Sequence, residues 1–223
     1  MIELFQITGS ASFAARAALE EAGAEYTVVD VHPRRRDETP ELRRANPLER
    51  VPSLREGDVT VYETAAVLQY IAERHPDAAL AAPVGDSRRG AYLRWLAWLG
   101  NTFHDAYRPL NIPHTLTDDP AGEDGIRSKG RVKLDSLGAY LERELTGVEW
   151  CLGDRYTVAD IYLYMLVGWQ NYVDGGYIVG GEAVQSHYAR VGARPAIART
   201  RELDDLDERL IRHHPELRAG KPV

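Results

Sequence analysis

The chain has 223 residues, 44% of them hydrophobic and 27% charged, with a formal net charge of -7. That is enough for one large domain or two small ones, and the acidic balance gives nucleic-acid binding no electrostatic support. No apolar run has the length of a transmembrane helix, no basic start followed by an apolar stretch marks a signal peptide, and a single cysteine, Cys151, excludes an intrachain disulfide. A cytoplasmic setting is the expectation, with no membrane and no nucleic-acid partner.

Residues 2–7 alternate as a short strand, and Thr8, Gly9 and Ser10 break it. Residues 12–22 place Phe13, Ala17, Ala18 and Leu19 at helical spacing, with Gly23 as the stop. Residues 25–31 are a β-branched strand, which completes a βαβ unit. A polar, turn-rich stretch follows. Residues 51–63 read as a hairpin about Glu56, Gly57 and Asp58, and residues 64–76 as a helix with Val67, Leu68 and Ile71 on one face. The order is βαβ-ββα, a complete small domain over 1–76.

Residues 77–87 carry Pro83 and Gly85 and no periodicity, and read as a linker. The remainder, 88–223, reads as an all-helical domain. Residues 88–108 space Tyr92, Trp95, Leu96, Leu99 and Phe103 helically, and residues 126–145 repeat the pattern. Residues 157–173 are apolar nearly all round, as the buried centre of a bundle would be. A last helical stretch runs from about Pro195 to Arg212. His213 and His214 lack a third ligand nearby, so no metal site is expected.

Four short stretches carry local chemistry. Thr157 and Asp160 have capping-box spacing, with Tyr156 and Ile161 at the staple positions, a structural device that starts the central helix. Pro52 opens a strand. If its bond to Val51 is cis, the Val51 backbone turns outward and can pair with an extended peptide; if trans, it is an ordinary strand start. Glu63 and Thr64 sit where a helix N-terminus exposes amides, matching the ammonium and carboxylate of an amino acid, or else simply cap the helix. Ser10 and Ser12 flank Ala11 at a strand-to-helix turn, either as hydrogen-bond donors or as caps.

Taken in order along residues 1–212, these motifs resemble the cytosolic glutathione transferases, with a thioredoxin-like N-terminal domain and an all-α C-terminal bundle. "GWQNYV" and "FHDAYRPL" are most similar to the bacterial Beta-class group. The resemblance implies that Pro52 is cis, that the Val51 backbone pairs with the cysteinyl part of glutathione, and that Glu63 and Thr64 hold its γ-glutamyl group. Arg34, Arg35 or Arg36 would take the role of a lysine facing the glycyl carboxylate, or form a solvated cluster. His104 matches a histidine near the thiol, as a general acid or donor, or else packs its helix. A homodimer is implied, and a small electrophile held by the helical domain. Tyr92, Trp95, Trp98 and Tyr107 would line that pocket or a dimer cleft, or belong to the core.

The opening turn departs from the group. Its Gly-Ala-Cys-Ser order is Gly9-Ser10-Ala11-Ser12 here, so Ala11 fills the cysteine position. A tyrosine of the mammalian type is missing too. What remains is a serine hydroxyl at the start of the first helix, with Ser12 preferred over Ser10. A helix N-terminus and a hydroxyl donor lower a thiol pKa from about 8.5, making glutathione a nucleophile. The expected activity is a glutathione transferase; the alternatives are a non-catalytic glutathione-binding or regulatory protein, and a narrow glutathione-dependent isomerase or dehalogenase. Cys151 is expected to be buried and inert.

Overall fold

A computed structural model describes residues 1–33, 36–173 and 177–204. They form two compact units, one of residues 1–81 together with the chain from Gly192, the other of residues 82–191. The first unit is built on β1 (Ile2–Gln6), α1 (Ser12–Glu21), β2 (Tyr26–Asp30), α2 (Pro40–Ala45), β3 (Ser53–Glu56), β4 (Val59–Tyr62) and α3 (Thr64–Arg74). The strands form one sheet in the order β2-β1-β3-β4, with β1 and β2 parallel and the other pairs antiparallel. The βαβ and hairpin expectations hold, and the strands are a residue or two shorter than the sequence pattern suggested.

Helices cover both faces of this sheet. α1 packs Phe13, Ala17, Ala18 and Leu19 inward and meets α3, whose Val67, Leu68 and Ile71 are fully buried. Phe5 of β1 and Ile7 just past its end cluster with Val31 and with Leu42 and Ala45 of α2. Each buried Leu or Phe side chain contributes about 1.5–3 kcal/mol. The sequence reading missed α2, because six residues with only two buried carry no periodicity.

The second unit contains α4 (Arg89–Trp98), a π-helical segment (Leu99–Phe103), the short α5 (His104–Ala106) and α6 (Arg108–Asn111), then α7 (Glu123–Leu145), α8 (Val158–Gly168) and most of α9 (Glu182–Gly192). The helix expected over 88–108 is therefore not uniform: its middle winds one residue wider per turn. α8 is buried from Val158 to Val167, as its all-round hydrophobicity required. Among the described residues, no helix is long and apolar enough to cross a membrane.

Two helix starts in this unit are closed by carboxylates. At α8 the Thr157 hydroxyl accepts the Ala159 amide at 3.3 Å, and the Asp160 carboxylate accepts the Thr157 amide at 2.8 Å. At α9 the cap comes from another helix: Glu142 of α7 accepts the amides of Gly181, Ala183 and Val184 at 2.8, 2.9 and 3.1 Å. α9 was not foreseen in the sequence.

One boundary needs correction. The expected helical domain, 88–223, gives up its last described helix, α10 (Pro195–Leu203), to the first unit. α10 buries Ile197 and Thr200 and packs along α1. The extension to Arg212, with His213 and His214, lies outside the described residues.

Candidate functional site

The sheet register gathers the sequence-predicted positions of the first unit at one end. Phe5 of β1 pairs with Ser53 of β3, and Ser53 pairs with Tyr62 of β4. The segment leaving β1, the segment entering β3 and the segment leaving β4 are therefore neighbours. These are the 8–12 turn, Val51 with Pro52, and Glu63 with Thr64.

The turn into α1 uses Gly9 at φ 68°, left-handed backbone that glycine adopts freely. Ser12 is fully buried. Its hydroxyl donates to the Ile7 carbonyl at 2.9 Å and accepts the Ile7 amide at 3.1 Å. It thus closes the end of β1 rather than capping α1, whose start at Ala11 has no side-chain cap. The expectation that Ser12 caps the helix is corrected: its one proton is committed to Ile7. Ser10 is half-buried and lies 2.9 Å from Ser12, oxygen to oxygen, and accepts the Ser12 amide at 3.3 Å. With the Ser12 proton on Ile7, the Ser10 hydroxyl donates to Ser12, and it is the one able to rotate toward a ligand.

The Val51–Pro52 bond is cis. The loop before it is braced by two buried polar residues that sequence reasoning missed. Asn46 donates to the Arg50 carbonyl and to Ser53 Oγ, both at 3.1 Å, and accepts the Leu48 amide at 2.9 Å. Ser53 donates to the Arg50 carbonyl at 2.7 Å. An Asn two residues before a loop apex is the sequence signal that could have been read. Arg36 donates to the Glu49 carbonyl at 3.1 Å, tying this loop to the arginine cluster. Arg34 and Arg35 lie outside the described residues.

At α3, Glu63 is exposed and holds φ 70°, ψ 119°. This region costs a non-glycine residue about 1–3 kcal/mol. Thr64 is buried at the first helical position, and no side chain caps the start of α3. The plain N-cap reading of Thr64 therefore fails: the starts of α1 and α3 lie at the same end of the sheet without a side-chain cap at the N-cap position, and the first amide of α1, that of Ser12, reaches only Ser10 Oγ at 3.3 Å.

In the second unit, His104 follows the π-helical segment. Its Nδ1 lies 2.9 Å from the Tyr162 hydroxyl, and its ring meets Trp169 edge-on at 4.9 Å. Burial pushes its pKa down, against a weaker upward pull from Asp105, so the ring is neutral at physiological pH. Asp105 faces Lys133 at 3.7 Å. Tyr92, Trp95 and Tyr107 are fully buried core, whereas Trp98 is half-buried and stacks on Phe103. The Tyr107 ring packs edge-on against Trp169.

One cluster of potential metal ligands appears among the described residues: Cys151, Asp160 and His187. Asp160 is already saturated. It accepts the Cys151 amide at 2.7 Å and His187 Nε2 at 2.9 Å, besides its two bonds from Thr157. Burial, and next the Asp160 charge, push the Cys151 thiol well up, which makes it a poor nucleophile.

A family model described as "Glutathione S-transferase, N-terminal domain" matches residues 1–73. A sphingomonad glutathione S-transferase solved in complex with glutathione is 31% identical, with a TM-score of 0.82, over 92% of this chain and 99% of that one. The chain belongs to the glutathione S-transferase family. A bacterial Beta-class family member from Sphingomonas chungbukensis is 30% identical, with a TM-score of 0.81, over 91% of this chain and 98% of its own. The glutathione S-transferase GstA of Escherichia coli O157:H7 is 29% identical over 88% of this chain and 95% of that protein. The family's thioredoxin-like sheet and helical C-terminal region account for the whole described fold.

Proposed function

We propose that the chain binds glutathione at the sheet end that carries the 8–12 turn, Val51, Pro52, Glu63 and Thr64, and activates its thiol as a thiolate for attack on a small electrophile. The observation that carries this reading is the pair of helix starts, α1 and α3, left without side-chain caps beside a cis proline and a strained Glu63. Helix N-termini, with the dipole behind them, favour a thiolate and a carboxylate. Glu63 and Thr64 take the γ-glutamyl group, the Val51 backbone takes the cysteinyl amide, and Arg34 or Arg35 takes the glycyl carboxylate. Relatives solved with glutathione support the ligand.

Among family members the chain is nearest the Beta class in its motifs, yet Ala11 stands at the cysteine position and Cys151 is the chain's one cysteine. No protein–glutathione disulfide can then form at this turn. Ser10 is the better hydroxyl donor, since Ser12 spends its proton on Ile7. The thiolate forms when the glutathione proton leaves to water and Ser10 donates a hydrogen bond to the sulfur. The thiolate then bonds to the electrophile and displaces its leaving group, or adds and leaves the adduct to take a proton. Neutral His104, half-buried beside Trp169, is the second unit's proposed contact for an apolar electrophile. A cytoplasmic homodimer completes the proposal.

A second reading has its own observation: the Ser10 hydroxyl is itself engaged with Ser12, which suits a protein that binds glutathione without turning it over. Ultraviolet thiolate absorbance of bound glutathione separates the two. A band at neutral pH that Ser10→Ala removes, with calorimetric affinity retained, supports catalysis. Binding without a band supports the second reading, and no binding at millimolar glutathione rejects both.

A further inference from the structure

α1 begins at the turn where Ser10 and Ser12 meet, with no side-chain cap of its own. α10 holds it from outside. Three ion pairs join α10 or its flanks to α1: Arg16 to Asp204 at 2.8 Å, Arg194 to Glu21 at 2.6 Å, and Arg199 to Glu20 at 3.1 Å. The last two grip the far end of α1. The first sits one turn into the helix and is the most buried, with side chains 10% and 0% exposed against 63% and 16% for Arg199 and Glu20.

Arg16 does more than pair. The same Nη1 donates to the Leu203 carbonyl at 3.2 Å, closing the C-terminus of α10, and Nε donates to the Tyr26 hydroxyl at 3.3 Å. Burial pushes the Asp204 carboxyl above its ordinary range, against the pull of the Arg16 guanidinium and a lesser one from the nearby Gly9 amide, and its Oδ2 has no hydrogen-bond partner among the described residues. Gly9 is the left-handed residue that sets the turn. A buried pair adds little net stability, because desolvation offsets the attraction. The two more exposed pairs already dock α10. What the buried pair adds is a fixed point between the end of α10 and α1 one turn in from its start, near the loop that leads into it.

We infer that Arg16 and Asp204 are positioning residues: they hold the start of α1, and through it the 9–12 turn, so that the Ser10 hydroxyl stands at the N-terminus of α1. The link to catalysis rests on the function proposed above; the link to the turn does not. Asp204→Asn keeps the shape and removes the charge, and Arg199→Gln removes a pair at the other end of α1 as the structural control. In the ligand-free full-length chain, hydrogen exchange over residues 7–13 is expected to speed up about tenfold in Asp204→Asn and to stay within about twofold in Arg199→Gln. With glutathione, kcat/KM should fall about tenfold in Asp204→Asn, with loss of thiolate absorbance, and hold in Arg199→Gln. If Asp204→Asn does not fold, Arg16→Lys, which keeps the charge and loses the fork, carries the same comparison.

Equal exchange in the two variants, or no change in either, overturns the positioning role whatever the chain binds. Faster exchange with unchanged glutathione kinetics overturns its link to the site. A wild-type chain that binds no glutathione overturns the proposed function, while the exchange experiment still decides the positioning.

Discussion

The starts of α1 and α8 differ where their sequences look alike. Each has a small, fully buried hydroxyl residue at its start, Ser12 as the first residue of α1 and Thr157 just before α8. At α8 the hydroxyl and a carboxylate turn back onto the helix's own first amides. At α1 the Ser12 hydroxyl turns away, onto Ile7 just past β1, and the helix's first amide meets only Ser10 Oγ at 3.3 Å. A start that must only be stable closes itself, whereas a start left open keeps its dipole for something else. α3 repeats the open arrangement at the same sheet end, and there the backbone is also strained at Glu63.

The largest expected effect would come from breaking the closed end. Asp160→Ala strips a fully buried acceptor from its Thr157, Cys151 and His187 donors and should cost about 3–5 kcal/mol. A lower urea midpoint at unchanged slope would register it, with glutathione affinity of the folded fraction retained. A loss of affinity in fully folded protein would show that the closed start is not structural alone. Ser12→Ala comes next, because it orphans the buried Ile7 amide and leaves the Ile7 carbonyl only its bond from the Ser10 amide. A loss of about 2 kcal/mol in denaturant unfolding is expected, larger than for Ser10→Ala; the reverse order would mean the two hydroxyls have been assigned the wrong roles.

Glu63→Gly sharpens the comparison by opposing signs. Glycine relieves the positive φ, so melting temperature should rise, by the equivalent of about 1 kcal/mol, while glutathione affinity falls. A drop in both would assign Glu63 a structural duty. The smallest effect concerns α9, the start closed by Glu142. Burial raises the Glu142 pKa, yet the amides of Ala183, Val184 and Gly181 outweigh it, and the net value lies below the ordinary 4.5. A depressed carboxyl contributes stability above its unfolded pKa and loses it as pH falls through the folded value. The melting temperature of Glu142→Gln should therefore approach that of wild type as pH drops below the ordinary carboxylate range, and the gap should open above it.

Legibility in the sequence followed the range of the interaction. α8 could be read because Thr157 and Asp160 are three apart and the apolar run behind them is continuous. The Pro52, Glu63 and Thr64 positions were legible as motifs, and the register of β3 and β4 brings them together as the motif order implied. α9 escaped because its start is capped from α7, and its inward stripe of Val184, His187 and Val191 contains a histidine that reads as polar. Ser12 does not cap because its true partner, Ile7, lies just past the preceding strand, a hydrogen bond that no helical spacing announces. Asp204 sits 188 residues from Arg16, beyond the reach of any local pattern.

The π-helical segment before His104 has a consequence in angle. Each residue of an α-helix advances about 100°, and a π-turn carries one residue more than an α-turn. Everything after Phe103 is thus out of phase with α4 by roughly that amount. The pairing of His104 with Tyr162 and Trp169 depends on that phase, not only on the residue types. Among changes to this segment, side-chain replacements at 99–103 leave the phase intact, while loss or gain of a single residue turns His104 to another face. Relatives that keep every side chain but differ there by one in length would carry the same histidine pointed elsewhere.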